Sequence, residues 1–169
     1  MLMTNALTLP SLDDLLLALG ATSTPDYVLS GFPEYATGPE SLAADQRQTL
    51  RTVAAVITRS QASYVPVVAA LITGHADKAL RKPVGERSAF ERDVSQRRAT
   101  AAADRLLREL VAESSGAHFA KIFRHVAIGL GNGKPRHLNA TSELQMQQNR
   151  RVEITLLTRR TNQARCGVI

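Results

Sequence analysis

The sequence predicts an α/β (α+β) fold, a two-layer sandwich in which helices pack on one face of a sheet. Strand-like and helix-like segments alternate along the chain in the order β-α-β-α-β-α-β. The two longer helical segments each carry a single apolar face, which must be buried against another element. A sheet covered on one side satisfies this requirement, and 169 residues with 44% hydrophobic composition suffice for one such domain.

The first half of the pattern begins with a strand at Tyr27–Gly31 and a helix between Glu40 and Arg59. Tyr64–Thr73 is continuously apolar, which predicts a strand buried on both faces. Pro66 near its start indicates an edge or entry position. The helix between Glu40 and Arg59 is predicted because apolar residues recur in it at helical spacing. These residues are Leu50, Val53, Ala54 and Ile57.

The second helix is predicted to begin at Ser88, because Ser88 and Glu91 have the spacing of a capping box. It follows a basic loop at Ala76–Arg87 and should end near residues 114–116. Its apolar face is the most regular in the chain and consists of Ala99, Ala102, Ala103, Leu106, Leu107 and Leu110.

The last part of the chain predicts a strand at Ile122–Ile128, followed by a glycine-rich turn. Ser142 and Gln145 have capping-box spacing and predict a short third helix. Alternating apolar residues from Val152 to Leu156 then predict the final strand.

The predicted domain occupies residues 26–160, with an appendage at 1–25 and a tail at 161–169. The appendage should form a short amphipathic helix, with its apolar face made of Leu12, Leu15, Leu16 and Leu19. We expect it to dock on its own domain or on a partner chain, because so short a helix is unstable alone. The single Cys166 excludes an intramolecular disulfide.

Composition narrows the function classes. A net charge of +6 and a pI near 10.1 favour an anionic partner. An aromatic content of 4% without tryptophan leaves few rings for a base-stacking surface. The apolar run Leu15–Leu19 is too short for a membrane span, and it lacks the basic leader of a secretory signal.

Three short motifs occur in order on the predicted elements: Gly74–Asp77 (G-H-A-D), Val94–Ala99 (V-S-Q-R-R-A) and Asn149–Ile154 (N-R-R-V-E-I). They resemble the G-H-T-D, L-S-x-x-R-A and N-R-R-V-E-I motifs of the OmpA-like family, which includes peptidoglycan-associated lipoproteins and MotB-type stator domains. Gly31 and Phe32 are similar to the G-F that ends the family's first strand. The resemblance covers residues 27–158 and implies an OmpA-C-like fold with a mixed sheet.

The resemblance also implies a function. The family binds the stem peptide of peptidoglycan in the periplasm or cell envelope, without catalysis, cofactor or metal. The diaminopimelate side chain of that peptide ends in a free ammonium and a free carboxylate. By resemblance, Asp77 receives the ammonium and Arg98 the carboxylate, in charge-assisted hydrogen bonds. The periphery of the site is then expected to include Phe32, Ala76, Lys78, Val94, Ala99, Asn149 and Arg151.

The residues alone leave alternatives open. Asp77 and Arg98 could pair with each other or face solvent, and Asn149, Arg150 and Arg151 are expected mainly to fix the start of the last strand. The sequence also departs from the family pattern. The segment from Asp77 to Phe90 is longer than usual, and its basic residues could contact carboxylates of the wall or cover the pocket.

Three smaller departures lie near the motifs. Pro33 stands where many members have an aspartate, Ala76 replaces a threonine, and Glu91 replaces an asparagine.

Other functions receive less support. An adaptor that keeps the fold and binds a protein partner is the main alternative. Nucleic-acid binding through Arg87, Arg92, Arg97 and Arg98 is disfavoured, because a basic helix face is more often only solvated.

His75 and Asp77 have H-x-D spacing without further metal ligands. Gly129–Lys134 lacks the Ser or Thr that a phosphate-binding loop requires. The sequence therefore predicts a protein that is not an enzyme.

Overall fold

The structure is a computed structural model that describes residues 25–113 and 123–158. Within these ranges it contains four strands and three α-helices, in the predicted order. Their bounds are β1 (Tyr27–Leu29), α1 (Ala44–Ser60), β2 (Val67–Gly74), α2 (Val84–Ala112), β3 (Arg124–Gly129), α3 (Glu143–Asn149) and β4 (Val152–Thr158). The predicted N-terminal helix, the tail with Cys166 and the segment at 114–116 lie outside the described residues, so the division into three regions stays a prediction.

The four strands form one mixed sheet in the order β1-β4-β2-β3. β4 is antiparallel to both β1 and β2, whereas β2 and β3 are parallel. A parallel pair needs a long crossover between its strands, and α2 lies in that crossover. The mixed sheet and the two-layer α/β sandwich are therefore confirmed.

The main core lies between the sheet and the helices α1 and α2. Ala70 and Ile72 of β2 and Ile154 of β4 are buried there. The helices contribute Leu50, Val53, Ile57, Leu106 and Leu110. Each of the buried valine, leucine and isoleucine side chains stabilises the fold by roughly 1.5–3 kcal/mol relative to exposure.

β2 is buried on both faces, as predicted. On the side opposite the helices, Ala69 and Leu71 form a smaller cluster with Val126 and Leu157. Pro66 lies directly before β2, so it marks the entry to that strand. The alternative prediction, that Pro66 indicates an edge strand, is wrong because β2 lies between β4 and β3.

Of the two predicted capping boxes, the structure contains the one at Ser142 and lacks the one at Ser88. Gln145 donates its backbone N–H to Ser142 Oγ at 3.3 Å, which confirms the capping box of α3. The capping box at Ser88 is wrong, because α2 already begins at Val84, after Pro83. Glu91, instead of capping, accepts the backbone N–H of Ala79 at 2.7 Å.

Glycines at the ends of β2 and β3 allow α2 to approach the sheet closely. A Cβ at Gly74 would lie 1.9 Å from the carbonyl oxygen of Ser95. A Cβ at Gly129 would lie 2.3 Å from the backbone nitrogen of Gln96. The glycine of G-H-A-D is thus required by packing against the V-S-Q-R-R-A segment. This contact places Asp77 and Arg98 at the same end of the sheet.

None of the helices in the described ranges combines the length and the apolar character that crossing a bilayer requires.

Candidate ligand-binding site

A cleft of about 240 Å³ lies between the loop after β2, the first half of α2 and helix α3. Five residues of the predicted site line it: Ala76, Asp77, Lys78, Val94 and Arg98. Fold and motif spacing therefore bring these residues together from two separate segments of the chain.

Arg98 is almost fully buried, with 1% of its surface exposed. Its Nε donates to the carbonyl oxygen of Ala36 at 2.8 Å, and Nη1 donates to that of His75 at 2.9 Å. A longer contact of 3.5 Å joins Nη2 to the carbonyl oxygen of Pro33. These bonds hold the turn after β1 and the start of the β2 loop against α2. They leave one further N–H group on Nη1 and one on Nη2.

The charge of Arg98 persists at neutral pH. Burial lowers the pKa of Arg98 to about 10, and the neighbouring Arg150 contributes in the same direction. Asp77 acts in the opposite direction and supports the cation. The guanidinium is thus a desolvated but still protonated donor beside a carboxylate.

Asp77 is held by the last residue of α3. Its Oδ1 accepts a hydrogen bond from Asn149 Nδ2 at 3.2 Å. Asn149 is fixed in turn, because its Oδ1 accepts the backbone N–H of His137 at 2.8 Å. Within the described ranges Asp77 forms neither a hydrogen bond nor an ion pair with Arg98. The structure therefore contradicts both the pairing of these residues and a solvent-facing Arg98.

A second cleft of about 230 Å³ adjoins the first and shares Asp77, Lys78, Leu80 and Met146 with it. Asn149 lines this second cleft. Asp77 and Lys78 therefore form a ridge between two concave surfaces.

The loop after β2 (residues 75–83) forms one wall of the first cleft. Glu91 accepts the N–H of Ala79, as described above, and this contact is buried. Arg87 donates Nε to the carbonyl oxygen of Lys82 at 2.9 Å and Nη2 to that of Leu80 at 3.2 Å. The loop is thus fastened to α2 by side chains of that helix.

Three residues predicted at the periphery line neither cleft. Phe32 is buried beneath the Arg98 guanidinium, 5.3 Å from its ring centroid to Cζ. Ala99 lies in the core. Arg151 donates Nε to Glu153 at 2.7 Å and Nη2 to the carbonyl oxygen of Lys134 at 3.0 Å. Phe32 and Ala99 are therefore packing residues, and Arg151 connects β4 to the loop that contains Lys134.

Glu153 also contacts His75, whose Nε2 lies 3.0 Å from Glu153 Oε2. Burial lowers the pKa of His75, despite this carboxylate. Burial alone would raise the pKa of Glu153, but hydrogen bonds from His75 and Arg151 bring it down to about 2. This cluster joins the first residue after β2 to β4.

Several lining residues were not predicted. Arg150 is buried, donates Nε to the carbonyl oxygen of Phe32 at 2.8 Å and pairs with Glu143. Its place in N-R-R-V-E-I was the only available signal. Tyr35 and Phe90 meet edge to face at 5.1 Å on the rim, but they are distant in sequence and carry no common motif.

The fold is similar to solved structures. The peptidoglycan-associated lipoprotein from Burkholderia pseudomallei superposes with a TM-score of 0.55 at 20% identity, over 82% of this chain and 98% of that one. The cell wall anchor of the T6SS from Pseudomonas aeruginosa gives 0.53 at 21% identity, over 89% and 99%. The OmpA-like domain of FopA1 from Francisella tularensis gives 0.50 at 16%, over 77% and 73%.

Sequence comparison contributes nothing further, because no family model and no curated protein sequence matches the chain at a significant level. At these identities the likeness establishes the fold alone.

Proposed function

Because this chain has the OmpA-like fold, we propose that it binds peptidoglycan non-covalently and anchors a protein or assembly to the bacterial cell wall. The recognised group is the ammonium and carboxylate at the end of the diaminopimelate side chain. On this proposal the protein is a binding module without catalytic function, and it acts in the periplasm or cell envelope.

One observation carries the proposal: Asp77 and Arg98 line the same cleft without pairing with each other. A zwitterion needs an acceptor and a donor of opposite charge at a fixed separation. Asn149 fixes the acceptor by donating a hydrogen bond to Asp77 Oδ1. Two backbone carbonyl oxygens fix the donor, Arg98, by accepting its Nε–H and one Nη1–H. The ligand ammonium would lie against Asp77, and its carboxylate against the remaining N–H groups of Arg98. Both partners are then held before the ligand arrives, which reduces the entropy lost on binding.

The net charge supports the same partner. With +6 at neutral pH, the chain is attracted to a polymer that bears many free carboxylates. Charge alone does not distinguish this polymer from other anionic partners. A test of the proposal therefore requires a substitution within the cleft.

The test is sedimentation of the protein with purified diaminopimelate-type sacculi. Asp77→Asn removes the negative charge but keeps an Oδ1 that can still accept from Asn149, so the variant should fold normally. We expect it to lose at least about tenfold in affinity, because a charge-assisted bond becomes a neutral one. Asp104→Asn is the matched control on the exposed surface of α2, outside the two clefts, and should sediment like the wild type.

Two results would count against the proposal. If folded wild-type protein stays in the supernatant, the cleft serves another partner and the adaptor function replaces wall binding. If Asp77→Asn sediments as well as wild type, binding occurs elsewhere on the surface. Nucleic-acid binding is checked separately, since it would weaken steeply with salt and would not respond to diaminopimelate.

A further inference from the structure

We propose that Lys78 and Arg81 form a second carboxylate-binding subsite beside the zwitterion site. The inference rests on the proposed function and deepens it. It specifies the ligand as a stem peptide with a free carboxylate outside the diaminopimelate zwitterion, such as that of its D-glutamyl residue.

The placement of the two cations is the first support. Lys78 and Arg81 both line the cleft that contains Asp77 and Arg98, and Lys78 also lines the adjoining cleft. A peptide that places its zwitterion at Asp77 and Arg98 would therefore extend past these side chains.

Both cations are available to a ligand. Lys78 is exposed, and its Nζ has no hydrogen-bond or ion-pair partner within residues 25–113 and 123–158. Arg81 contacts Glu34 at 3.5 Å, with side-chain exposures of 78% and 42%. Such an exposed pair contributes roughly 0–1 kcal/mol, so a ligand carboxylate can replace Glu34 at little cost.

The other cations around the cleft are already engaged. Arg150 pairs with Glu143, and Lys82 lies over the Phe90 ring at 4.8 Å. Arg98 keeps free N–H groups, but on the proposed function these bind the zwitterion carboxylate. A further carboxylate of the ligand thus finds its partners in Lys78 and Arg81.

The loop that carries these cations has a defined position. Ala79, between them, donates its N–H to the buried Glu91 carboxylate, and Lys82 N–H donates to the carbonyl oxygen of Ala79 at 2.9 Å. Arg87 holds two carbonyl groups of the same loop. These bonds fix the loop backbone from which both side chains project, so the loop is not an unrestrained surface loop.

The experiment is titration calorimetry of the whole chain with two soluble diaminopimelate stem peptides. One peptide has free D-glutamyl and C-terminal carboxylates, and in the other both are amidated, while the zwitterion is intact in each. The variants are Lys78→Gln/Arg81→Gln and the control Arg108→Gln/Arg124→Gln. The control removes the same charge at exposed positions that line neither cleft.

We expect the wild type and the control to bind the free-carboxylate peptide about tenfold more tightly than the amidated one. Lys78→Gln/Arg81→Gln should lose this preference and bind both peptides as the wild type binds the amidated peptide. Equal wild-type affinity for the two peptides, or an unchanged preference in the double variant, would overturn the subsite and leave the proposed function standing. If the wild type binds neither peptide, the proposed function and the subsite fall together.

Discussion

Arg98 Nη1 donates to the carbonyl oxygen of His75 at 2.9 Å, and this bond joins two segments that are 23 residues apart. It connects the arginine of V-S-Q-R-R-A to the backbone of G-H-A-D, two residues before Asp77. The side chain proposed to bind the ligand carboxylate therefore also positions the loop that carries the opposite charge. Loss of Arg98 should affect folding as well as binding.

Arg98→Lys should lower the free energy of unfolding by about 2–4 kcal/mol. A lysine ammonium cannot reach the carbonyl oxygens of Ala36 and His75 together, so buried acceptors lose their partners. Arg97→Lys is the matched control, because Arg97 is exposed and pairs with Asp93 on the same helix. It should change stability by less than about 0.5 kcal/mol. Urea unfolding followed by circular dichroism measures both variants, and equal stabilities would contradict the structural role of Arg98.

Much of the fold could be predicted from the sequence because local patterns and tertiary packing agree. The apolar run in β2, the apolar face of α2 and the capping box at Ser142 each describe an element that the structure contains. Asp77 and Arg98 could be assigned to one site only through the family motifs. Asp77 and Arg98 are 21 positions apart, and neither hydrophobic periodicity nor net charge predicts that they line one cleft.

The remaining features depend on contacts between distant residues. Ser88 and Glu91 have capping spacing, but Glu91 is used by the Ala79 backbone, and a helix start at Val84 places Ser88 inside α2. Similarly, motif matching placed Arg151 in the periphery of the site. The strand it precedes directs its guanidinium to Glu153 and the Lys134 carbonyl oxygen instead.

Gly74→Ala should destabilise the protein by about 3 kcal/mol. The added methyl would lie 1.9 Å from the Ser95 carbonyl oxygen, so β2 and α2 would have to separate. Gly85→Ala is the matched control in the first turn of α2, where a Cβ meets nothing within 4 Å. It should be neutral or stabilise by up to about 1 kcal/mol through helix propensity. Thermal unfolding of the two variants decides this, and a mild effect at Gly74 would mean that the helix does not approach so closely.

Ser142→Ala should cost about 1 kcal/mol, because the backbone N–H of Gln145 loses its acceptor at the start of α3. Ser88→Ala should cost nothing or stabilise slightly, since Ser88 is exposed within α2. Denaturant midpoints of the two variants separate the capping serine from the non-capping one. The opposite order would place the start of α2 at Ser88, as its sequence spacing suggests.

The stability of the protein should fall on acidification from pH 7.5 to 5.5, and His75 should be a main cause. Burial lowers the pKa of His75 below its ordinary value of 6.5, so the folded state resists a proton that the unfolded state accepts. Because the unfolded chain then binds more protons, lower pH favours unfolding. Glu153 does not contribute in this window, since its carboxyl has an ordinary pKa of 4.5 and a folded value of about 2.

The measurement is the free energy of unfolding in urea at pH 7.5 and at pH 5.5, for wild type and His75→Gln. Glutamine keeps an N–H donor for Glu153 but does not titrate, so the variant should lose less stability between the two pH values than the wild type does. His125→Gln removes a histidine of β3 outside this cluster and should retain the wild-type loss. An equal loss in wild type and His75→Gln would show that His75 takes up its proton as readily in the folded state as in the unfolded one.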